Sequence, residues 1–196
     1  SAAFGSVLQK GRQETTLVIG RDARPSGLWI ADLISITLRN LGIHVVDLGL
    51  STTPTVQMAV VAENAAGGII ITASHNPAQW NALKLLNHLG EFISAEDGQE
   101  VLQLAEKEDF SFVENKKIVT YRKDDQHLQK HIEAILQIPY VDVEAIRNRK
   151  FKIAVEAVNS SGGIAVPMLL EALGVEAASV KKYYCEPDGN FPHNPE

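Results

Sequence analysis

The stretch Gly67-Gly68-Ile69-Ile70-Ile71-Thr72-Ala73-Ser74-His75-Asn76-Pro77 (GGIIITASHNP) decides the fold. Three consecutive β-branched isoleucines after a glycine pair read as a short buried strand. Threonine, serine, histidine, asparagine and proline then read as a polar loop at its end. Upstream, TLVIG (Thr16–Gly20) is a second apolar strand and HVVDL (His44–Leu48) a third. Between these two, Ile30, Leu33, Ile34, Thr37, Leu38 and Leu41 recur at helical spacing. Ser26 can cap that helix and Gly42 suits the position just past its end. Thr53-Pro54 opens another helix, with proline at the tolerated first position, running to about Asn64. The order is thus β-α-β-α-β, which calls for a parallel sheet covered by helices.

Downstream, Leu83–Leu86 reads as a strand that follows too closely for a helical crossover, so it is expected antiparallel. Ser94 and Asp97 form a capping box opening a helix over 95–107. A weaker strand pattern lies near Lys117 to Tyr121, and a helix is expected over about 125–137. Residues 1–140 therefore read as a three-layer α/β/α domain with a mixed, mainly parallel sheet. Residues 141–150, ending in RNRK, read as a linker. The pattern then restarts, with a strand over 151–158, a Ser-Ser-Gly-Gly turn, a helix over 164–173 and a strand over 175–180. One βαβ unit cannot cover both faces of its own sheet. Residues 151–196 are thus expected to be the start of a second, similar α/β domain, and SAAFGSVLQKG reads as the tail of a helix already under way.

The net charge of −6 argues against nucleic acid as the main partner, since a phosphate backbone needs a basic face. A small phosphorylated ligand needs only a locally positive pocket. Cys185 is the single cysteine, so no disulfide can form within the chain, which fits a reducing, cytoplasmic compartment. No apolar run is long enough to cross a membrane. GxxxxGK[ST], GxGxxG and CxxC are all absent.

Loops at the carboxyl ends of parallel strands are where open α/β sheets place ligands. Ser74 is therefore a candidate nucleophile or phosphate carrier, and Asn76 can hold the loop or bind an anion. The other reading of the same residues is a polar turn closed by Pro77. The GxSxG of a hydrolase elbow is missing. In GRDARPSG (Gly20–Gly27), Arg21 and Arg24 can supply positive charge, or can simply pair with Asp22 and sit beside a helix start. Lys84 alternates with Leu83 and Leu85 and projects from the opposite face. His127 and His131 have the i,i+4 spacing of a helical metal pair. HLQKH lacks the glutamate of HExxH, so they are expected to be exposed helix residues.

GRDARPSG, TTP, GGIIITASHNPAQWNALK and EPDGNFPHNPE, in this order from about Thr16 to Glu196, closely resemble the α-D-phosphohexomutase family. Its members include phosphoglucomutases, phosphomannomutases and phosphoglucosamine mutases. The resemblance implies an intramolecular phosphotransferase acting between hexose (or hexosamine) 6-phosphate and 1-phosphate. It implies a phosphoserine at Ser74 and a bisphosphorylated hexose as intermediate. It implies Mg²⁺ on the phosphoryl oxygen of Ser74, with the remaining ligands in a three-aspartate loop of DGDGD type. His75 and Lys84 match positions proposed for proton transfer and substrate contact. Arg21 matches an active-site arginine and Asn76 a residue supporting the loop. Where the family often reads NGxK, this chain reads Asn81-Ala82-Leu83-Lys84, so the turn must avoid positive φ at Ala82. The sequence shows no three-aspartate loop, which implies an N-terminal fragment, inactive alone. A non-catalytic sugar-phosphate- or nucleotide-binding α/β module is the alternative reading.

Overall fold

The computed structural model describes residues 1–114 and 119–194. Its first sheet has five strands, β1 (Thr16–Arg21), β2 (His44–Leu50), β3 (Gly67–Ile71), β4 (Leu83–Leu86) and β5 (Tyr121–Lys123), in the order β4-β3-β1-β2-β5. β1, β2, β3 and β5 run parallel and β4 is antiparallel to β3, so the expected mixed, mainly parallel sheet is present. Helices cover both faces: α1 (Ala2–Gln9), α2 (Gly27–Asn40), α3 (Thr53–Ala62), α4 (Ala95–Lys107) and α5 (His127–Leu136).

The central strands are apolar without alternation because both of their faces are buried. Leu17, Ile19, Ile69 and Ile71 pack on one side with Phe4, Ile34 and Leu38. Val18, Val46 and Ile70 pack on the other with Val56, Val60 and Leu86. Two glycines of β3 set the spacing. A Cβ on Gly67 would lie 2.5 Å from the Leu86 carbonyl oxygen, and one on Gly68 would lie 2.7 Å from Val60 Cγ2. The Ser94–Asp97 capping box at α4 is formed in both directions.

Several boundaries differ from the sequence reading. The strand expected near 117–121 begins only at Tyr121, where pairing with Val45 starts; Lys117 and residue 118 lie outside the described residues. Residues 141–150 contain a helix, α6 (Val143–Arg149), whose start is capped by Asp142 accepting from Ala145 N–H at 2.9 Å. The second sheet has β6 (Ile153–Glu156) parallel to β7 (Val180–Tyr183), joined by α7 (Gly162–Ala172) and a short 3-10 turn over Ala177–Ser179. β7 thus starts five residues later than expected. The Val175 amide still closes α7 by donating to Leu170, and the 3-10 turn delays the chain until Val180 meets Ile153. Among the described residues no helix is long and apolar enough to cross a membrane.

Candidate active site

β3 delivers the chain into the Ser74 loop, and hydrogen bonds from distant residues fix that loop. Asp22, just past β1, receives the Thr72 hydroxyl on Oδ2 at 2.6 Å, and Thr72 Oγ1 in turn accepts from the Ser74 amide at 3.1 Å. Ser74 is exposed and sits at φ +56°, a left-handed conformation uncommon outside glycine, asparagine and aspartate. The Asn76 side chain closes the turn by donating to Ala73 O at 2.8 Å.

Arg24 organises the rest. It is 1% exposed. Its Nε donates to Asp22 Oδ2 at 3.0 Å. Nη1 donates to the carbonyls of Pro77 and Trp80 at 2.6 and 2.9 Å, and Nη2 to those of Ser74 and Asn76 at 2.9 and 2.7 Å. Every guanidinium N–H therefore has an acceptor. Of the two sequence readings of Arg24, positive charge for a phosphate or a pair with Asp22, the pair is present, and the remaining donors are consumed by the loop backbone. Ser26 was expected to cap α2, but its hydroxyl makes no cap bond and accepts from Asn81 Nδ2 at 2.9 Å, which ties down the far end of the loop. Ala82 lies outside the left-handed region, as its side chain requires, and its carbonyl receives the Thr72 amide.

The other candidate residues are spread around this loop. His75 is exposed beside Ser74. Arg21 ends β1 opposite Ile71 of β3, but its side chain lines a cleft of about 300 Å³ with Asp47, Lys123, Asp124 and Asp125. Lys84 pairs with Ile70 across the β3–β4 ladder, and its ammonium lies 5.8 Å from the Phe92 ring centre. Asp47, which lines that cleft, accepts from the Tyr121 hydroxyl on Oδ2 at 2.7 Å; burial, and then this bond to a carboxylate, push the Tyr121 pKa up to about 12.

His127 and His131 are not the exposed pair expected. α5 packs against α3, and their i,i+4 spacing puts both rings on that inner face. His127 is 3% exposed, with Nε2 2.9 Å from Glu63 Oε1 and 3.4 Å from Asp124 Oδ2. His131 Nδ1 meets the Thr55 hydroxyl at 2.9 Å, and burial lowers its pKa. Burial alone would raise the pKa of Asp124, but bonds from the Gln126 amide and Arg122 hold it below the usual value.

Glu63, Asp124 and His127 are side chains able to hold a metal ion. Magnesium asks for oxygen ligands in near-octahedral geometry. Here one ligand is an imidazole, and both carboxylates are already paired with Arg122. At Ser74 the neighbouring carboxylate, Asp22, is bonded through both oxygens to Arg24 and Thr72. Neither of these two groups, bonded as it is, fits magnesium.

Comparison with known proteins agrees with this architecture. Residues 1–112 match domain I, and residues 129–196 domain II, of the phosphoglucomutase/phosphomannomutase α/β/α domains. A phosphoglucomutase/phosphomannomutase of Thermococcus kodakarensis is 40% identical over 99% of this chain, which covers 42% of that relative. A phosphoglucosamine/phosphogalactosamine mutase of Sulfurisphaera tokodaii is 30% identical over 92% of the chain and is itself covered to 39%. A solved structure described as a putative phosphomannomutase from Thermus thermophilus superposes with a TM-score of 0.83 at 27% identity, over 97% of this chain and 41% of that one. The chain thus spans about two fifths of the length of these relatives. With the domain I pattern covering more than half of the residues and the domain II pattern following in order, the chain belongs to the phosphoglucomutase/phosphomannomutase family.

Proposed function

We propose that this chain carries the phosphoryl-bearing serine of a mutase that interconverts hexose (or hexosamine) 6-phosphate and 1-phosphate. The observation that carries the reading is Ser74 itself: exposed, left-handed, at the carboxyl end of β3, on a loop whose carbonyls are fastened to one buried arginine. Phosphoryl transfer asks the protein mainly for positioning and charge neutralisation, and a loop held this way meets the first demand. In the reaction the bond between phosphorus and Ser74 Oγ breaks as a sugar hydroxyl oxygen bonds to phosphorus, and the hydroxyl proton leaves to a base. The resulting bisphosphorylated hexose turns over, and Ser74 Oγ takes back the other phosphoryl group.

On this reading His75 and Lys84 serve proton transfer and substrate contact, while Arg21 and Asn76 support the phosphorylated loop. The bond from the Asn76 side chain to Ala73 O supports that role for Asn76. Magnesium belongs to the same reading, on the phosphoryl oxygen of Ser74, and the chain spans about two fifths of the length of its relatives. These 196 residues are therefore expected to give no sustained turnover alone, which a coupled hexose 1-phosphate assay checks.

Peptide mass spectrometry of the protein purified from its natural host tests the role of Ser74. A phosphate on the Ser74 peptide, absent after Ser74→Ala, is the expected result. Phosphate on Ser51 or Ser94 instead overturns it. Ser51 is 6% exposed and Ser94 is engaged as a helix cap, so neither is presented as Ser74 is.

A further inference from the structure

The segment Glu186–Phe191 (EPDGNF) has no part in the chemistry above, yet it packs against Ala23, Arg24 and Pro25, and Arg24 is the residue that holds the Ser74 loop. Gly189 turns at φ +75°, and a Cβ there would lie 2.0 Å from the Ala23 carbonyl oxygen and 3.2 Å from Pro25 Cδ. Both the backbone angle and the space thus demand glycine. The Gly189 amide donates to Asn159 O, Asn159 Nδ2 donates to Asn190 O at 2.9 Å, and Ala23 N–H reaches Ser160 Oγ at 3.3 Å. Val158, Asn159 and Tyr184, all at positive φ, lie in the two segments that make this junction. For valine in particular such an angle is strained and persists only where the surroundings enforce it. The turn delivers Phe191, whose ring centre lies 5.1 Å from Arg24 Cζ.

We infer that Phe191 is a positioning residue for the Ser74 loop, acting through Arg24. The in-plane N–H groups of Arg24 are all engaged by the loop and Asp22. What remains of the guanidinium is its two faces, and an aromatic ring over one of them attracts the cation while keeping water from the carbonyls it holds. The second α/β unit thereby stabilises the presentation of Ser74 without touching Ser74. An aliphatic side chain of similar size covers the guanidinium but lacks the negative π face, so aromatic character is what the position requires.

The inference rests on reading the Ser74 loop as the active loop, but its test needs no phosphate. NMR-detected hydrogen exchange on the full chain reads the Ser74, Asn76 and Trp80 amides, which are bonded to Thr72 Oγ1, Ala73 O and Pro77 O. Phe191→Leu is expected to speed their exchange about three- to tenfold while β1 and β3 are unchanged, and Phe191→Tyr to retain wild-type protection. Unchanged loop protection in Phe191→Leu overturns the inference. So does equal loosening in both variants, or loosening that extends equally to β1 and β3. Any of these leaves the phosphoserine reading standing. Conversely, a phosphate mapped away from Ser74 leaves the contact between Phe191 and Arg24 standing.

Discussion

Arg24 carries five N–H donors, and the fold gives each an acceptor: four backbone carbonyls and one carboxylate oxygen. A lysine at this position keeps the charge but has three donors on a mobile stem, so at least two acceptors lose their partner in a buried site. Arg24→Lys is expected to lower stability by about 2–6 kcal/mol, since each orphaned buried acceptor costs roughly 1–3 kcal/mol. Urea unfolding followed by circular dichroism measures this, and a loss under about 1 kcal/mol would contradict the role assigned here. Ser74 was legible as a candidate because strand and polar loop adjoin in the sequence. The role of Arg24 was not, because its loop acceptors lie 50 to 56 residues away and are main-chain atoms that leave no mark on side-chain composition. The Asp-x-Arg spacing before a helix start was the one available signal, and it fits a surface salt bridge equally well.

At the scale of elements, α5 shows how a correct helix can be given the wrong face. HLQKH sets two histidines one turn apart, and polar neighbours suggest solvent on every side. Yet Thr55 of α3 and Glu63 just past its end meet that face, and both rings turn inward. Burial lowers the pKa of His131 from its ordinary value of 6.5, so the folded state disfavours the proton that the unfolded chain accepts. The unfolded state then binds more protons, and stability falls as pH drops below about 6.5 towards the lowered folded value. Replacing His131 with glutamine removes this term. The melting temperature of wild type minus that of His131→Gln is therefore expected to decrease as pH is lowered from neutrality to below 6, read by thermal unfolding across buffers. A difference that grows over that range would contradict the assignment of a half-buried, neutral His131.

Across the whole molecule, the β-α-β-α-β order and the antiparallel β4 followed from apolar runs and connection lengths, because short connections leave few ways to arrange strands. The late start of β7 and the helix over 143–149 did not follow. A 3-10 turn and an aspartate cap move boundaries by a few residues without altering the hydrophobic pattern. The two sheets also differ in how fully they are covered. β1 and β3 have helices on both faces, and Leu17, Val18, Ile19, Ile69, Ile70 and Ile71 have essentially no exposure. α7 is apolar nearly all round, yet no residue of it is fully buried, and Pro167 removes one of its internal hydrogen bonds. Local opening follows buried apolar contact, so α7 and β6–β7 are expected to open at a lower free energy than β1–β3. Native-state hydrogen exchange in increasing, sub-denaturing urea separates the two. The α7 amides should exchange through an opening with a small urea dependence, while those of β1 and β3 should exchange only by global unfolding. Protection of α7 equal to that of β1, with the same urea dependence, would show instead that the five-stranded sheet and the second unit unfold as one cooperative body.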